Sequence, residues 1–130
     1  QTLSHLAGAP VKLTFVPHLL PINRGILATC FARIRPGVTK DQILSAYQSM
    51  YENEYFIRLL PAGRVADVKN VRCSNFCDIS LHFDDRTGTL IAISAIDNMV
   101  KGAAGQAIQN MNLMFGAEEQ AGLKLVPPAF

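Results

Sequence analysis

Alternation of apolar and polar residues predicts β-strands along much of this chain. Residues 11–15 alternate and predict a strand that ends before a proline, and residues 26–34 predict a longer one closed by a turn. Residues 76–84 alternate strictly, and a turn leads from them into an apolar strand over 89–96. These two strands are predicted to form a hairpin, with apolar side chains toward the core and polar ones, including His82, toward solvent.

Helical spacing occurs in three places. Residues 1–8 resemble the last turn of a helix that ends at a glycine. Thr39 and Gln42 have the spacing of a capping box, and the periodic apolar residues behind them predict a helix as far as Asn53. Residues 99–116 predict a long helix that starts with unusually small side chains. Helices are therefore expected before, between and after the predicted strands.

The order of these elements predicts an α+β fold. Regular alternation of strand and helix is missing, and no glycine-rich turn follows the first strand. We expect one domain over residues 1–130, with a mostly antiparallel mixed sheet and helices packed on one face. Residues 61–70 are expected to be irregular and exposed, and residues 117–130 to be a largely extended tail.

Composition narrows the class of protein. The chain has 130 residues, of which 49% are hydrophobic and 17% charged, as in ordinary globular domains. Its formal net charge is only +2, without a block of like charges, so nucleic-acid binding is not expected. The longest nearly uncharged apolar stretch, residues 89–96, is far short of the roughly 20 residues that a membrane helix needs, so no membrane partner is expected either.

The first residues indicate whether the chain is part of a longer protein, and the cysteines indicate its cellular compartment. No leader signature precedes residue 10, and the chain starts without methionine, which favours a piece of a longer chain over a tag-cleavage product. Three cysteines without a secretory signal favour reduced thiols and a cytoplasmic location. Cys73 and Cys77 are four apart, but no second ligand pair accompanies them, so packing thiols are favoured over a metal site.

Three groups of polar residues are candidate binding positions. Asp97 and Asn98 stand at a strand-to-helix junction, and Lys101 opens a glycine-rich stretch whose order is the reverse of a phosphate loop. A tightly packed helix start is favoured there over an anion site, because internal glycines such as Gly102 imply close approach by another group. Arg24 suits a carboxylate or phosphate, with a solvated loop arginine as the alternative.

The residue types alone do not decide the roles of two further loop residues. Asn23 precedes Arg24 in a proline-bounded loop. His18, in the same loop, is either an acid–base group or a structural histidine. No nucleophile elbow occurs in the sequence, so the residues do not indicate a catalytic centre for a free-standing enzyme.

Residues 15–26, 74–79 and 94–112 closely resemble N-acetyl-gamma-glutamyl-phosphate reductases, members of the semialdehyde dehydrogenase superfamily. The resemblance covers essentially the whole chain and is weakest between Tyr51 and Cys73, where a glycine would be expected at position 73. It implies the C-terminal dimerisation and substrate domain of a two-domain enzyme, similar to the C-terminal domain of glyceraldehyde-3-phosphate dehydrogenase. Such enzymes use NADP to reduce N-acetyl-glutamyl phosphate to the semialdehyde in arginine biosynthesis.

The resemblance also implies roles for residues and partners. Asn98, supported by Asp97, Lys101 and Gly102, would contact the cofactor, and the substrate-binding residues would be His18, Asn23 and Arg24. The nucleophilic cysteine and catalytic histidine are expected upstream of Gln1, so the chain alone is expected to be inactive. Expected partners are a second copy bound through the sheet, in a dimer or a tetramer, the nucleotide-binding domain, and the acyl-phosphate substrate. The alternative is a free-standing α+β binding module without chemistry.

Overall fold

The computed structural model describes residues 1–128 and contains four strands and three α-helices in that part of the chain. In chain order these elements are α1 (Thr2–Ala7), β1 (Ile26–Arg33), α2 (Lys40–Tyr51), β2 (Ile57–Leu59), β3 (Cys77–Asp84), β4 (Thr89–Ile96) and α3 (Gly105–Met114). A 3₁₀-helix (Val68–Asn70) precedes β3, and a π-helix (Val100–Ala104) runs directly into α3.

The strands form one mixed sheet in the order β1-β4-β3-β2. The β3–β4 hairpin pairs antiparallel from Cys77 opposite Ile96 to Asp84 opposite Thr89, as its alternation predicts. β1 also pairs antiparallel with β4, whereas β2 pairs parallel with β3. The predicted α+β class with a mostly antiparallel mixed sheet is therefore confirmed.

The predicted helix ends are present. The Thr39 hydroxyl accepts from the Gln42 backbone N–H, and the Gln42 side chain accepts from the Thr39 N–H, which is the predicted capping box. Gly8 ends α1 with φ 63°, in the left-handed region where glycine is favoured. The start of α2 and the end of α1 are therefore set by local signals that need no distant partner.

The two faces of the sheet are covered differently. On one face, Lys40 of α2 lies 5.7 Å from the ring centre of Phe83, and Gly102 lies against Ile26 and Ile96. Because side chains alternate along a strand, the residues next to these point to the opposite face. That face is covered near β2 by residues 60–76, which pack against β4 and form a core cluster with it. The cluster consists of buried Ala66, Val71 and Ala95 with partly buried Leu60, Val68, Phe76 and Ile93.

Burial of polar residues on β3 corrects the prediction for that strand. Asp78 and Ser80, expected in solvent, are 2% and 1% exposed. The segment after β2 lies over Ser80, whose Oγ accepts from the Ala66 N–H. Asp78 pairs instead with Arg58 of the neighbouring strand β2. His82, expected at the surface, is half-buried, and its Nε2 lies 3.1 Å from Ser80 Oγ. The strictly alternating pattern cannot reveal a loop that covers its polar side.

The strand predicted over residues 11–15 is wrong. No ladder forms there, and Phe15 is 80% exposed. The only hydrogen bond from its backbone to a side chain joins the Val11 N–H to Ser4 Oγ within the described chain. Alternation makes a strand only where another strand supplies partners and a core supplies a face to bury, and this segment has neither.

The C-terminal tail is more structured than predicted, and the helix before it is slightly shorter. The helix expected over 99–116 begins with the π-helix and ends at Met114, followed by Gly116 at φ 68°. The tail, predicted to be largely extended, turns over residues 119–123 and buries Leu123 before running on without regular structure to residue 128. The last two predicted tail residues lie outside the described chain.

Candidate functional site at the β4 to helix junction

The side chain of Asp97 organises the junction that follows β4. It is fully buried, and its carboxylate accepts four N–H groups. Oδ1 accepts from the backbones of Met99 and Val100, both at 2.8 Å. Oδ2 accepts from Arg24 Nε at 2.5 Å and from the Cys73 backbone at 2.6 Å. One carboxylate therefore joins three segments that are distant in sequence.

The charge of Asp97 is stabilised by these contacts. Burial alone would raise its pKa, but the Arg24 hydrogen bond and three backbone N–H groups outweigh burial and lower the pKa to about 2. The same hydrogen bond to Asp97 raises the pKa of Arg24. Both groups are ionised at neutral pH. Since its oxygens are already used, Asp97 serves here to position its neighbours.

Asn98 connects the junction to the loop that carries Arg24. Its Oδ1 accepts from the Gly25 N–H at 2.7 Å. Gly25 has φ 116°, and an added Cβ would stand 2.8 Å from Cβ of Val68, so only glycine fits. Within residues 1–128 the Asn98 amide Nδ2 donates no hydrogen bond, and the residue is half-buried. Asn98 therefore keeps an unused donor in a fixed position.

The π-helix presents a surface of small side chains beside Asn98. The Gly102 N–H donates to the Asp97 carbonyl at 2.9 Å, and the Ala104 N–H donates to Met99 at 3.1 Å, both five residues back. Gly102, Ala103 and Ala104 are exposed. A Cβ on Gly102 would make only ordinary contacts, the nearest at 3.5 Å. No group within the described chain requires glycine at that position.

Gly105, by contrast, is required by packing inside this domain. A Cβ there would overlap Asn75 Oδ1 and would lie 2.8 Å from the Val100 carbonyl oxygen. The Asn75 side chain is fully buried and donates to Gln109 Oε1 at 2.9 Å. For Gly105, the predicted close approach therefore comes from Asn75 and Val100, and the packed helix start explains this glycine.

Lys101 points into the same polar cluster. Its Nζ donates to Gln109 Oε1 at 2.7 Å and lies 5.4 Å from the ring centre of Phe56. Burial lowers the pKa of Lys101. Gln109 in turn donates to Glu119, so the cation is tied to the turn after α3. In this chain Lys101 braces the start of the helix.

The loop residues predicted from sequence separate into two groups. Arg24 is brought to the junction, as described above. His18 and Asn23 are exposed, and within residues 1–128 no hydrogen bond joins either side chain to the junction. The Nδ1 atom of His18 lies 3.1 Å from the Val16 carbonyl oxygen. The predicted substrate roles of these two residues stay predictions.

Two positions at the junction were not assigned a role from sequence. Cys73 has φ 60°, and its N–H faces Asp97. The glycine expected there by resemblance is the residue best suited to this left-handed backbone, so the turn keeps a glycine geometry. Asn75 was noted only as part of a motif. Its burial and contact with Gly105 depend on tertiary packing that no local signal reveals.

The described residues offer neither a metal site nor an activated thiol. Among residues 1–128 no group of three or more His, Cys, Asp or Glu side chains could hold a metal ion. Burial raises the pKa of Cys77, which disfavours its thiolate. Within that part of the chain no hydrogen bond joins Cys30, Cys73 or Cys77 to a histidine. None of its described helices has both the length and the apolar character needed to cross a bilayer.

Comparison with known proteins agrees with this architecture. The chain is 53% identical to the N-acetyl-gamma-glutamyl-phosphate reductase of Brachyspira hyodysenteriae, over all of its own length and 37% of that protein. It is 54% identical to the enzyme of the same name from Geobacter metallireducens, over 98% of the chain and 37% of the relative. The chain therefore spans a little over a third of the curated relatives it matches.

A solved structure and a family model complete the comparison. Aspartate semialdehyde dehydrogenase II from Vibrio cholerae, solved in complex with ASA, superposes with a TM-score of 0.57 at 20% identity, covering 75% of this chain and 29% of that one. This likeness concerns the fold. The family model described as semialdehyde dehydrogenase, dimerisation domain, matches residues 1–98. The chain belongs to the semialdehyde dehydrogenase dimerisation-domain family.

Proposed function

We propose that this chain is the dimerisation and substrate-side domain of an N-acetyl-gamma-glutamyl-phosphate reductase. The whole enzyme would reduce N-acetyl-glutamyl phosphate to the semialdehyde with NADPH, as a cytoplasmic step of arginine biosynthesis. The observation that carries the proposal is the junction at Asp97, where hydrogen bonds hold Asn98 and the Arg24 loop together at a half-buried position. Identity of about half over the full chain to reductases of that name supports the choice of reaction.

The residues present fit a nicotinamide cofactor. The Asn98 amide has an unused donor at a half-buried position, and the neighbouring Gly102 to Ala104 surface has no side chain larger than methyl. A carboxamide side chain pairs well with a carboxamide ring substituent, and small side chains allow another surface to approach closely. The bound cofactor would supply the hydride. Asn98 would hold its nicotinamide end, with Asp97, Lys101 and Gly102 fixing the position of Asn98.

Arg24 would assist at the substrate end. Its Nε is held by Asp97, which leaves the remaining guanidinium N–H groups available for an anion. A phosphate or carboxylate bound there would be oriented by a side chain that is already ordered, so less entropy is lost on binding. His18 and Asn23, on the same exposed loop, would complete the substrate border when the nucleotide-binding domain packs against it.

The acyl-transfer step needs an activated nucleophile, and residues 1–128 contain none. Cys77 is half-buried with a raised pKa, and neither Cys30 nor Cys73 is hydrogen-bonded to a base within residues 1–128. We therefore assign the nucleophile and its histidine to residues upstream of Gln1. The isolated chain would be inactive.

Association with a second copy is proposed to use the sheet. Phe31 on β1 is 71% exposed, and pairing aligns it with Ile91 and His82 on the face away from α2 and α3. An exposed aromatic surrounded by strand residues is typical of an interface. A dimer through this face would bury it around a two-fold axis, and two such dimers would form a tetramer.

Substitution of Asn98 in the full-length protein tests the cofactor assignment. Asn98→Ala should raise the KM for NADP(H) or lower kcat by about tenfold or more, because it removes a positioned hydrogen bond. The matched control is Asn110→Ala, an exposed amide on α3, which should leave both constants unchanged. Unchanged kinetics in Asn98→Ala would remove this residue from the site.

A further inference from the structure

A basic cleft lies at the β2 side of the sheet. It encloses about 640 Å³, and the charged side chains that line it are Arg58, Arg64, Lys69, Arg72 and the single acid Asp78. That volume is within the range of small-molecule sites. Four cations against one carboxylate make this a concentrated positive patch on a chain whose formal net charge is only +2.

Arg58 forms a preorganised wall of the cleft. Its Nε donates to Asp78 at 2.6 Å and its Nη2 donates to the Asn70 carbonyl at 2.9 Å. The guanidinium carbon also lies 4.6 Å from the ring centre of Phe76. These contacts fix the arginine before any ligand arrives. They also pair Arg58 with the carboxylate of Asp78, which is 2% exposed.

The other cations are available to a ligand. Arg64 and Arg72 are exposed at the cleft, and their side chains make no hydrogen bond or ion pair within residues 1–128. Lys69 is 3.7 Å from Asp67, and its side chain is 77% exposed, so this pair is weak and can be rearranged. Two free guanidinium groups and an ammonium group therefore border the fixed Arg58.

We infer that this cleft binds a small, multiply charged oxyanion that carries phosphate or carboxylate groups. Guanidinium groups match both kinds of oxyanion with paired N–H donors, and several of them favour a ligand with more than one negative charge. None of the residues of the Asp97 junction lines the cleft, so the inference does not depend on the proposed reductase activity.

Calorimetric titration of the full-length protein with inorganic pyrophosphate, and separately with citrate, tests the inference at low ionic strength. The test variant is Arg64→Gln with Arg72→Gln, which should weaken binding by about tenfold or more. The matched control, Lys12→Gln with Arg35→Gln, removes the same charge at two exposed positions outside the cleft. It should change the affinity by less than about twofold. The two ligands report whether phosphate or carboxylate is preferred.

A second pair of substitutions protects the test against misfolding. Arg64→Lys with Arg72→Lys keeps the charge and should retain more affinity than the glutamine pair. Absence of binding by the unaltered protein, or equal weakening in the test and control variants, would overturn the inference. Binding that persists in the glutamine pair would place the anion elsewhere and overturn it too. So would binding of a single-stranded oligonucleotide without binding of either small anion.

Discussion

Arg24 and Asp97 lie 73 residues apart in the chain, yet the Arg24 Nε is 2.5 Å from Asp97 Oδ2. The same carboxylate oxygen accepts the Cys73 backbone, so a loop, a turn and the end of β4 meet at one buried charge. Replacing that carboxylate should loosen all three segments together.

Asp97→Asn is expected to reduce the free energy of unfolding by about 3 kcal/mol, because it removes one partner of a buried pair and places an amide donor against N–H groups. Urea unfolding measures this loss. The control Asp85→Asn disrupts an exposed pair with Lys40, whose partners are 74% and 47% exposed, and should cost less than about 0.5 kcal/mol. Equal losses in both variants would contradict the structural role of Asp97.

The contribution of Asp97 should depend on pH. Its pKa in the folded protein is about 2, below the ordinary value of 3.8. Stability from its charge is therefore fully present above about pH 5 and is lost as pH falls toward 2. By linkage this amounts to about 2 kcal/mol. The stability difference between the unaltered protein and Asp97→Asn, measured by urea unfolding, should shrink as pH falls from about 5. A difference that is independent of pH would assign the effect to something other than the carboxylate charge.

Gly105 and Gly102 offer a matched pair on one helical segment. Gly105→Ala should lower the unfolding free energy by about 1–3 kcal/mol, because its Cβ would meet Asn75 and the Val100 backbone at less than 3 Å. Gly102→Ala should be neutral or stabilise by up to about 1 kcal/mol, because its Cβ has room and alanine favours helix. Thermal unfolding of the two variants compares them, and the reverse ranking would show that the packing is different.

Cys73 holds a left-handed backbone that glycine would adopt without strain. Cys73→Gly should therefore stabilise the protein by about 0.5–1 kcal/mol, after allowing for the greater freedom of glycine in the unfolded chain. Cys73→Ala removes the thiol but keeps Cβ, so it should show no such gain. Chemical denaturation of both variants separates the backbone effect from thiol packing. A gain in the alanine variant alone would assign the effect to the sulfur.

Phe31 tests the proposed use of the sheet in association. Phe31→Glu in the full-length protein should shift a dimer toward monomer in light scattering, because a charge would be buried at the interface. Met50→Glu, at a 69% exposed position on α2, is the control and should leave the mass unchanged. If the Phe31 variant keeps the mass of the unaltered protein, the interface lies on another surface.

How much could be predicted from sequence depended on how local each signal is. The capping box at Thr39 and the β3–β4 hairpin depend on residues close in the chain, and both are present. Residues 11–15 have the alternation of a strand but no neighbouring strand to pair with. Whether such a strand is available cannot be predicted from the local sequence. The parallel pairing of β2 with β3 likewise depends on a connection of irregular structure.

The candidate site shows the same division. Asp97, Asn98 and Arg24 could be selected from their residue types and their positions beside turns. Tertiary packing between segments tens of residues apart brings Arg24 to Asp97. The same packing lets the Cys73 backbone N–H donate to that carboxylate. Gly105 is one of the internal glycines of the helix start, but its contact with Asn75 depends on the folded structure.

The most direct test of the central claim compares turnover by the full-length protein with turnover by this 130-residue chain. Each is assayed for NADPH oxidation with N-acetyl-glutamyl phosphate. The full-length protein should catalyse the reaction and the chain alone should not, because its described residues include a positioned Asn98 and Arg24 but no activated nucleophile. Turnover by the isolated chain, or no turnover by the full-length protein, would contradict the account.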